Sequence, residues 1–158
     1  MERNYLISFI LLLIILVPSS FSKSIGVESC VDHKPSIVIC NKHSVSKYRV
    51  DRAVRFWEDL GYSFGKVSLS SSPSKCVSSD DFGVIFILDP DDNFDDKYLA
   101  MTKRFMVKAQ GESYTLYSRI YISKDQAKKD RILEHEIGHA LGWGHIGEVG
   151  HMMHEGWD

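Results

Sequence analysis

The amino-acid sequence predicts an α/β fold of the α+β kind, a mixed sheet backed by helices. Three observations lead there. The runs Ile37–Cys40, Gly83–Leu88 and Thr115–Ile122 have the length and the β-branched or aromatic content of strands. Two other stretches repeat apolar residues at helical spacing: Val50, Ala53, Val54, Trp57 and Leu60 in one, Leu133, Ile137, Ala140 and Leu141 in the other. The first of these helices lies between two strand-like runs, the order of a βαβ unit, which requires parallel pairing and a right-handed crossover.

Before any of these elements, Arg3 precedes an apolar run from Leu6 to Val17, and Pro18-Ser19-Ser20-Phe21-Ser22 follows with small residues. This reads as a secretory signal peptide over residues 1–22, cut after Ser22. Its apolar core is shorter than the ~20 residues that span a bilayer, so no stable membrane association is expected after cleavage. The expected product is residues 23–158, one domain, monomeric, in a secreted, periplasmic or other extracellular compartment. A formal charge of −2 and the lack of a basic block argue against nucleic acid as a partner.

Along the domain, Ile37–Cys40 is the first strand, and the Val50–Leu60 helix closes at Gly61, where a left-handed residue is easily accommodated. Tyr62–Leu69 is the returning strand, and the serine-rich Ser68–Ser79 reads as an exposed loop. Gly83–Leu88 is apolar throughout, as expected of a strand buried on both faces. Arg104–Ala109 and Thr115–Ile122 flank a turn at Gln110-Gly111-Glu112 and form a hairpin. Ser123 with Gln126 three residues later is a capping box, and a helix is expected over roughly 125–141.

That last helix contains the chemistry. His135 and His139 stand at i and i+4, so both imidazoles can address one ion from one helix face. Glu136 projects about 100° further round, beside the metal, where a base acting on water belongs. Gly142 allows a sharp exit, which brings His145 back as a third ligand. Three protein ligands leave a fourth position for water, the pattern of a catalytic rather than a structural zinc site. Zinc would lower the pKa of that water toward ~7, with Glu136 passing its proton to the leaving amine.

His135-Glu136-x-x-His139-x-x-Gly142-x-x-His145 followed by Met153 resembles the metzincin metallopeptidases, whose pattern is H-E-x-x-H-x-x-G-x-x-H with a later methionine turn. The resemblance covers most of residues 36–155, although only residues 135–153 hold the diagnostic motif. It implies a zincin fold with a twisted mixed sheet, a backing helix and an active-site helix. It also implies one catalytic Zn2+ on His135, His139 and His145, Glu136 as general base, and Met153 in the turn beneath the metal. The strand Arg104–Ala109 would then be the edge that binds extended substrate by strand addition. Two departures are visible. Glu155 stands where many members have proline and the astacin-like branch has tyrosine, so the branch is open. Five residues follow Met153, so a very short C-terminal subdomain, residues 143–158, is expected, with substrate gripped from the upper side or by a partner. The expected function is a secreted zinc endopeptidase acting on peptide or protein substrates. The alternative is a secreted zinc-binding module or effector without independent proteolytic activity.

Cys30, Cys40 and Cys76 form one disulfide and one free thiol, with three pairings open. A thiolate from residues 23–35 on the metal, keeping the enzyme latent, is the sharper reading of Cys30. Asp89, Asp91, Asp92, Asp95 and Asp96 read as a solvated turn; Ca2+ there lacks the residue order of an EF-hand and is not assigned. His33 and His43 are expected at the surface. His151 and His154 are expected to line the pocket or to compete with His145, and Trp143 and Trp157 to pack around the short last segment.

Overall fold

The computed structural model describes residues 34–40, 45–70, 72, 76, 82–92, 94–95 and 97–156. The signal peptide, Cys30, His33, His43, Asp96 and Trp157 lie outside them. Among the described residues eight elements follow in order: β1 (Ser36–Ile39), α1 (Lys47–Asp59), β2 (Val67–Leu69), β3 (Val84–Leu88), β4 (Ala100–Ala109), β5 (Glu112–Ile122), α2 (Lys124–Ala127) and α3 (Ile132–Ala140). The five strands form one mixed sheet in the order β2-β1-β3-β5-β4. β1 pairs in parallel with both β2 and β3, β3 pairs in parallel with β5, and only β4 runs antiparallel, at the edge. The architecture is thus mixed α/β, as the periodicities predicted.

Strand alternation decides which residues face the helices. Ile39, Ile87, Ile120 and Thr102 are register partners in one row across the sheet, and Ile37, Ile85, Ser118 and Arg104 form the next. The isoleucines of both rows are buried in a single core with Val50, Ala53, Val54 and Trp57 of α1 and Leu133 and Ile137 of α3. Both long helices therefore cover the same face, and the rows end at the edge strand with Thr102 and Arg104 on the α3 side. On the opposite face Phe86, Tyr117 and Phe105 form a chain of ring contacts, the last pair stacked at 4.4 Å.

Local chemistry explains the ends. Ser46 caps α1 by accepting the Arg49 N–H. Gly61, at φ 95°, stops it while Tyr62 and Gly61 donate back to Trp57 and Glu58. The β4–β5 turn has positive φ at both Gln110 and Gly111, the backbone of a two-residue type I′ hairpin. Cys40 and Cys76 are joined, which ties the end of β1 to the serine-rich segment.

Two expectations are corrected. β2 is confined to Val67–Leu69, so Tyr62–Lys66 approaches as irregular chain and Ser68 and Leu69 belong to the strand, not the loop. The helix expected over 125–141 is two helices. Ser123 does accept the Gln126 N–H, but it caps only α2. The chain then breaks because tertiary partners take its groups: Arg49 Nη2 donates to the Lys129 carbonyl at 3.2 Å, Arg52 pairs with Asp130, and Arg131 adopts a left-handed φ of 70° before α3 begins.

Candidate metal centre

α3 is anchored on its hidden side. Arg49 of α1 makes a two-point ion pair with Glu134, at 2.7 and 2.5 Å, with both side chains buried. Trp57 Nε1 donates to the Glu134 carbonyl at 2.8 Å. Against this support the same helix turns His135, Glu136 and His139 toward a cleft of about 740 Å³, whose other wall is the edge strand through Ala100, Thr102, Arg104 and Met106.

The C-terminal end of α3 produces the third histidine. Gly142 has φ 105°, the Trp143 N–H reaches the Gly138 carbonyl and the Gly142 N–H reaches His139, which is a left-handed stop that ends the helix in one residue. Trp143 then packs on Trp57 and donates its indole N–H to Tyr62 Oη at 2.8 Å. The segment after it is closed by the Ile146 N–H on the Met153 carbonyl at 2.8 Å. His145 is thereby held opposite His139, with their Nε2 atoms 3.1 Å apart, and the candidate ligand atoms of His135, His139 and His145 all lie within 4.8 Å of one another. A tetrahedral ion with bonds near 2.0–2.1 Å needs its ligand nitrogens about 3.3 Å apart.

The donor chemistry fits an ion as well as the spacing does. His135 Nδ1 lies 2.8 Å from the Met152 carbonyl and His139 Nδ1 2.8 Å from the Trp143 carbonyl. A carbonyl only accepts, so both Nδ1 atoms bear the proton and both Nε2 atoms present lone pairs to the centre. Burial pushes the His135 pKa down to about 4 and lowers that of His139, so protons do not compete for these nitrogens at neutral pH. Three such histidines can hold a divalent metal ion; imidazole donors suit zinc and do not by themselves select it.

Glu136 is buried, and desolvation pushes its carboxyl up to about 7 against the opposing effect of Thr102. The Thr102 hydroxyl lies 2.5 Å from Oε2 and 3.1 Å from the Glu136 carbonyl. Met153 is fully buried against α3 beside Gly138. It fits because Gly138 has no side chain: a Cβ there would stand 2.6 Å from Trp57 Cζ2 and closer still to Met153 Sδ.

His135, Glu136, His139 and His145 thus line one cleft, with His145 the third member of the histidine cluster, and Met153 is buried beside Gly138. His151 instead accepts the Met153 N–H, and His154 Nδ1 lies 2.7 Å from the Gly156 carbonyl and 3.1 Å from its amide nitrogen, so both serve the turn. Among the described residues the aspartate loop forms no comparable cluster; Asp95 pairs with Lys97 at 2.7 Å. Thr102, Arg49 and Glu134 escaped the sequence reading. Glu134 had a signal, an acidic residue beside His135 on the helix, but its partner is 85 positions away and nothing local points to it. No protein-family model and no curated protein matches the chain.

Proposed function

We propose that the chain is a zinc-dependent endopeptidase of metzincin type. The observation that supports this best is the pairing of a three-histidine cluster with a buried carboxyl, Glu136, in a cleft walled by an edge strand that has no second strand partner among the described residues. A purely structural site has no use for an acid–base group in that place.

When bound by His135, His139 and His145, zinc supplies Lewis acidity that polarises a peptide carbonyl and makes water nucleophilic at neutral pH. Glu136 removes the proton of the attacking water and delivers it to the leaving amine. Its carboxyl, raised by burial, sits where both transfers are balanced near neutrality, and a cation beside it favours the ionised, base-competent form. Thr102 donates to Oε2 and holds the carboxyl in one orientation. The outer side of β4, the edge of the sheet among the described residues, would offer backbone N–H and C=O groups to an extended peptide, so the substrate strand would lie alongside Thr102 and α3. Secretion is consistent with the Cys40–Cys76 disulfide, a bond that persists in oxidising compartments, and no described helix is long and apolar enough to cross a membrane.

The test compares purified wild type with Glu136→Ala for zinc content and for cleavage of unfolded protein substrates. One zinc in each with cleavage by wild type alone supports the mechanism. Zinc in both without cleavage by either would make the protein a zinc-binding module, and zinc in neither would remove the basis of the reading.

A further inference from the structure

The three histidines of the cluster are not held alike. His135 is buried, His139 is half-buried and His145 is exposed. The Nδ1 atoms of the first two lie 2.8 Å from the backbone carbonyls of Met152 and Trp143, so the chain itself fixes both rings. His145 Nδ1 faces a side chain instead, with Glu155 Oε2 3.8 Å away. The other ring nitrogen, Nε2, points inward, 3.1 Å from His139 Nε2. Glu155 therefore stands behind the third histidine as seen from the centre. It lines the cleft, yet among the described residues the cluster of possible ligand atoms comprises the three histidines. The turn that carries it is tied to the stretch that carries His145, because the Ile146 N–H reaches the Met153 carbonyl at 2.8 Å and the His154 N–H reaches the His151 carbonyl at 3.0 Å.

We infer that Glu155 is a positioning residue for the metal ion: its carboxylate accepts the Nδ1–H of His145 and so keeps Nε2 turned inward with its lone pair free. The inference rests on the reading of the histidines as a zinc site and is independent of what the loaded protein cleaves. A neutral imidazole bears one proton on either nitrogen, and the hydrogen bond made by one nitrogen decides which of the two can ligate. A carboxylate only accepts, so it selects the Nδ1–H form, and its charge also makes Nε2 a stronger donor to the ion. The 3.8 Å separation exceeds a hydrogen bond, and a rotation of the exposed Glu155 side chain closes it. Loss of such an outer partner weakens metal binding about 10–100-fold, and competition from water at this exposed pair puts the effect near the lower figure.

Zinc affinity and the histidine N–H signals test this without reference to activity. Wild type, Glu155→Ala, Glu155→Gln and Glu148→Ala are titrated with zinc against a chromophoric chelator at one pH and ionic strength. The imidazole N–H resonances of each zinc-loaded protein are recorded by NMR. Glu155→Ala is expected to bind zinc about tenfold more weakly and to lose the His145 Nδ1–H signal to solvent exchange, while those of His135 and His139 persist and show that the fold is intact. Glu155→Gln, which keeps an acceptor without the charge, recovers the signal and part of the affinity. Glu148→Ala removes an equal charge from an exposed position of the same segment and leaves both readouts as in wild type. Unchanged affinity in Glu155→Ala, an equal loss in Glu148→Ala, or a His145 signal that survives Glu155→Ala overturns the inference while leaving the zinc site standing. If wild type binds no zinc, the metal reading fails with it.

Discussion

Glu136 is a carboxyl placed where ionisation is costly, and the cost has a pH signature in the metal-free protein. Its folded pKa, about 7, lies above the ordinary 4.5, so this group contributes no penalty below about pH 4.5 and one that grows as pH rises through 7. Glu136→Gln, which keeps an acceptor for Thr102, is expected to be more stable than wild type at pH 8 by roughly 1–3 kcal/mol and equal to it near pH 4. Urea denaturation of both at the two pH values checks this; a constant difference would contradict it. His135 acts in the other direction. Its folded pKa of about 4 lies below 6.5, so the unfolded chain takes up the proton first and stability falls as pH drops from about 6.5 to 4. Gly138→Ala would drive a methyl group into Trp57 and Met153, and a loss of about 1–3 kcal/mol is expected by thermal or chemical denaturation, with Met153 displaced from its place against α3. The histidines, Glu136 and Met153 were legible because their relation is local, a matter of helical spacing and one glycine. Thr102 was not: it meets Glu136 only because a register running through Ile39, Ile87 and Ile120 brings its hydroxyl to α3.

At the scale of the elements, α3 depends on two devices of different visibility. Its end was legible, since Gly142 is the one residue type that takes φ 105° without strain. Gly142→Ala is expected to cost about 1–2 kcal/mol and, because His145 follows the stop, to weaken zinc binding in competition with a chelator while leaving α1 intact. Its start was not legible. The capping box at Ser123 and Gln126 reads as the start of the whole span, but Arg49 and Arg52 of α1 seize Lys129 and Asp130 from about 80 positions away, where no local signal reports them. The buried Arg49–Glu134 pair then sets the angle at which α3 leaves the break. Glu134→Ala leaves an uncompensated guanidinium and is expected to cost about 3–5 kcal/mol, whereas Arg49→Met with Glu134→Leu recovers most of that loss, a double-mutant comparison that separates a needed charge from a needed shape.

Across the whole molecule, the hairpin and the βαβ unit were readable, but the central place of β3 was not, because strand order depends on which apolar surfaces meet rather than on any one run. The pairing of Cys40 with Cys76 was likewise one of three alternatives until β1 and the serine-rich segment were seen side by side. That bond closes a loop over a sequence separation of 36, and its reduction is expected to lower stability by about 4 kcal/mol on the chain-entropy account, measurable as a fall in the denaturation midpoint with reductant.

The carbonyls that orient His135 and His139 belong to Met152 and Trp143, the two ends of the stretch that also delivers His145. An ion bound there would act as a rivet between α3 and the last turn, joining two pieces that meet in sequence only at Gly142. Removing it would unfasten the stretch from the helix while the sheet stays closed. The amides of residues 143–153 should then exchange with solvent far faster in chelated than in zinc-loaded protein, while those of β3 and β5 hold their protection in both. Zinc would in this way set the lifetime of the cleft's lower lip as well as its chemistry.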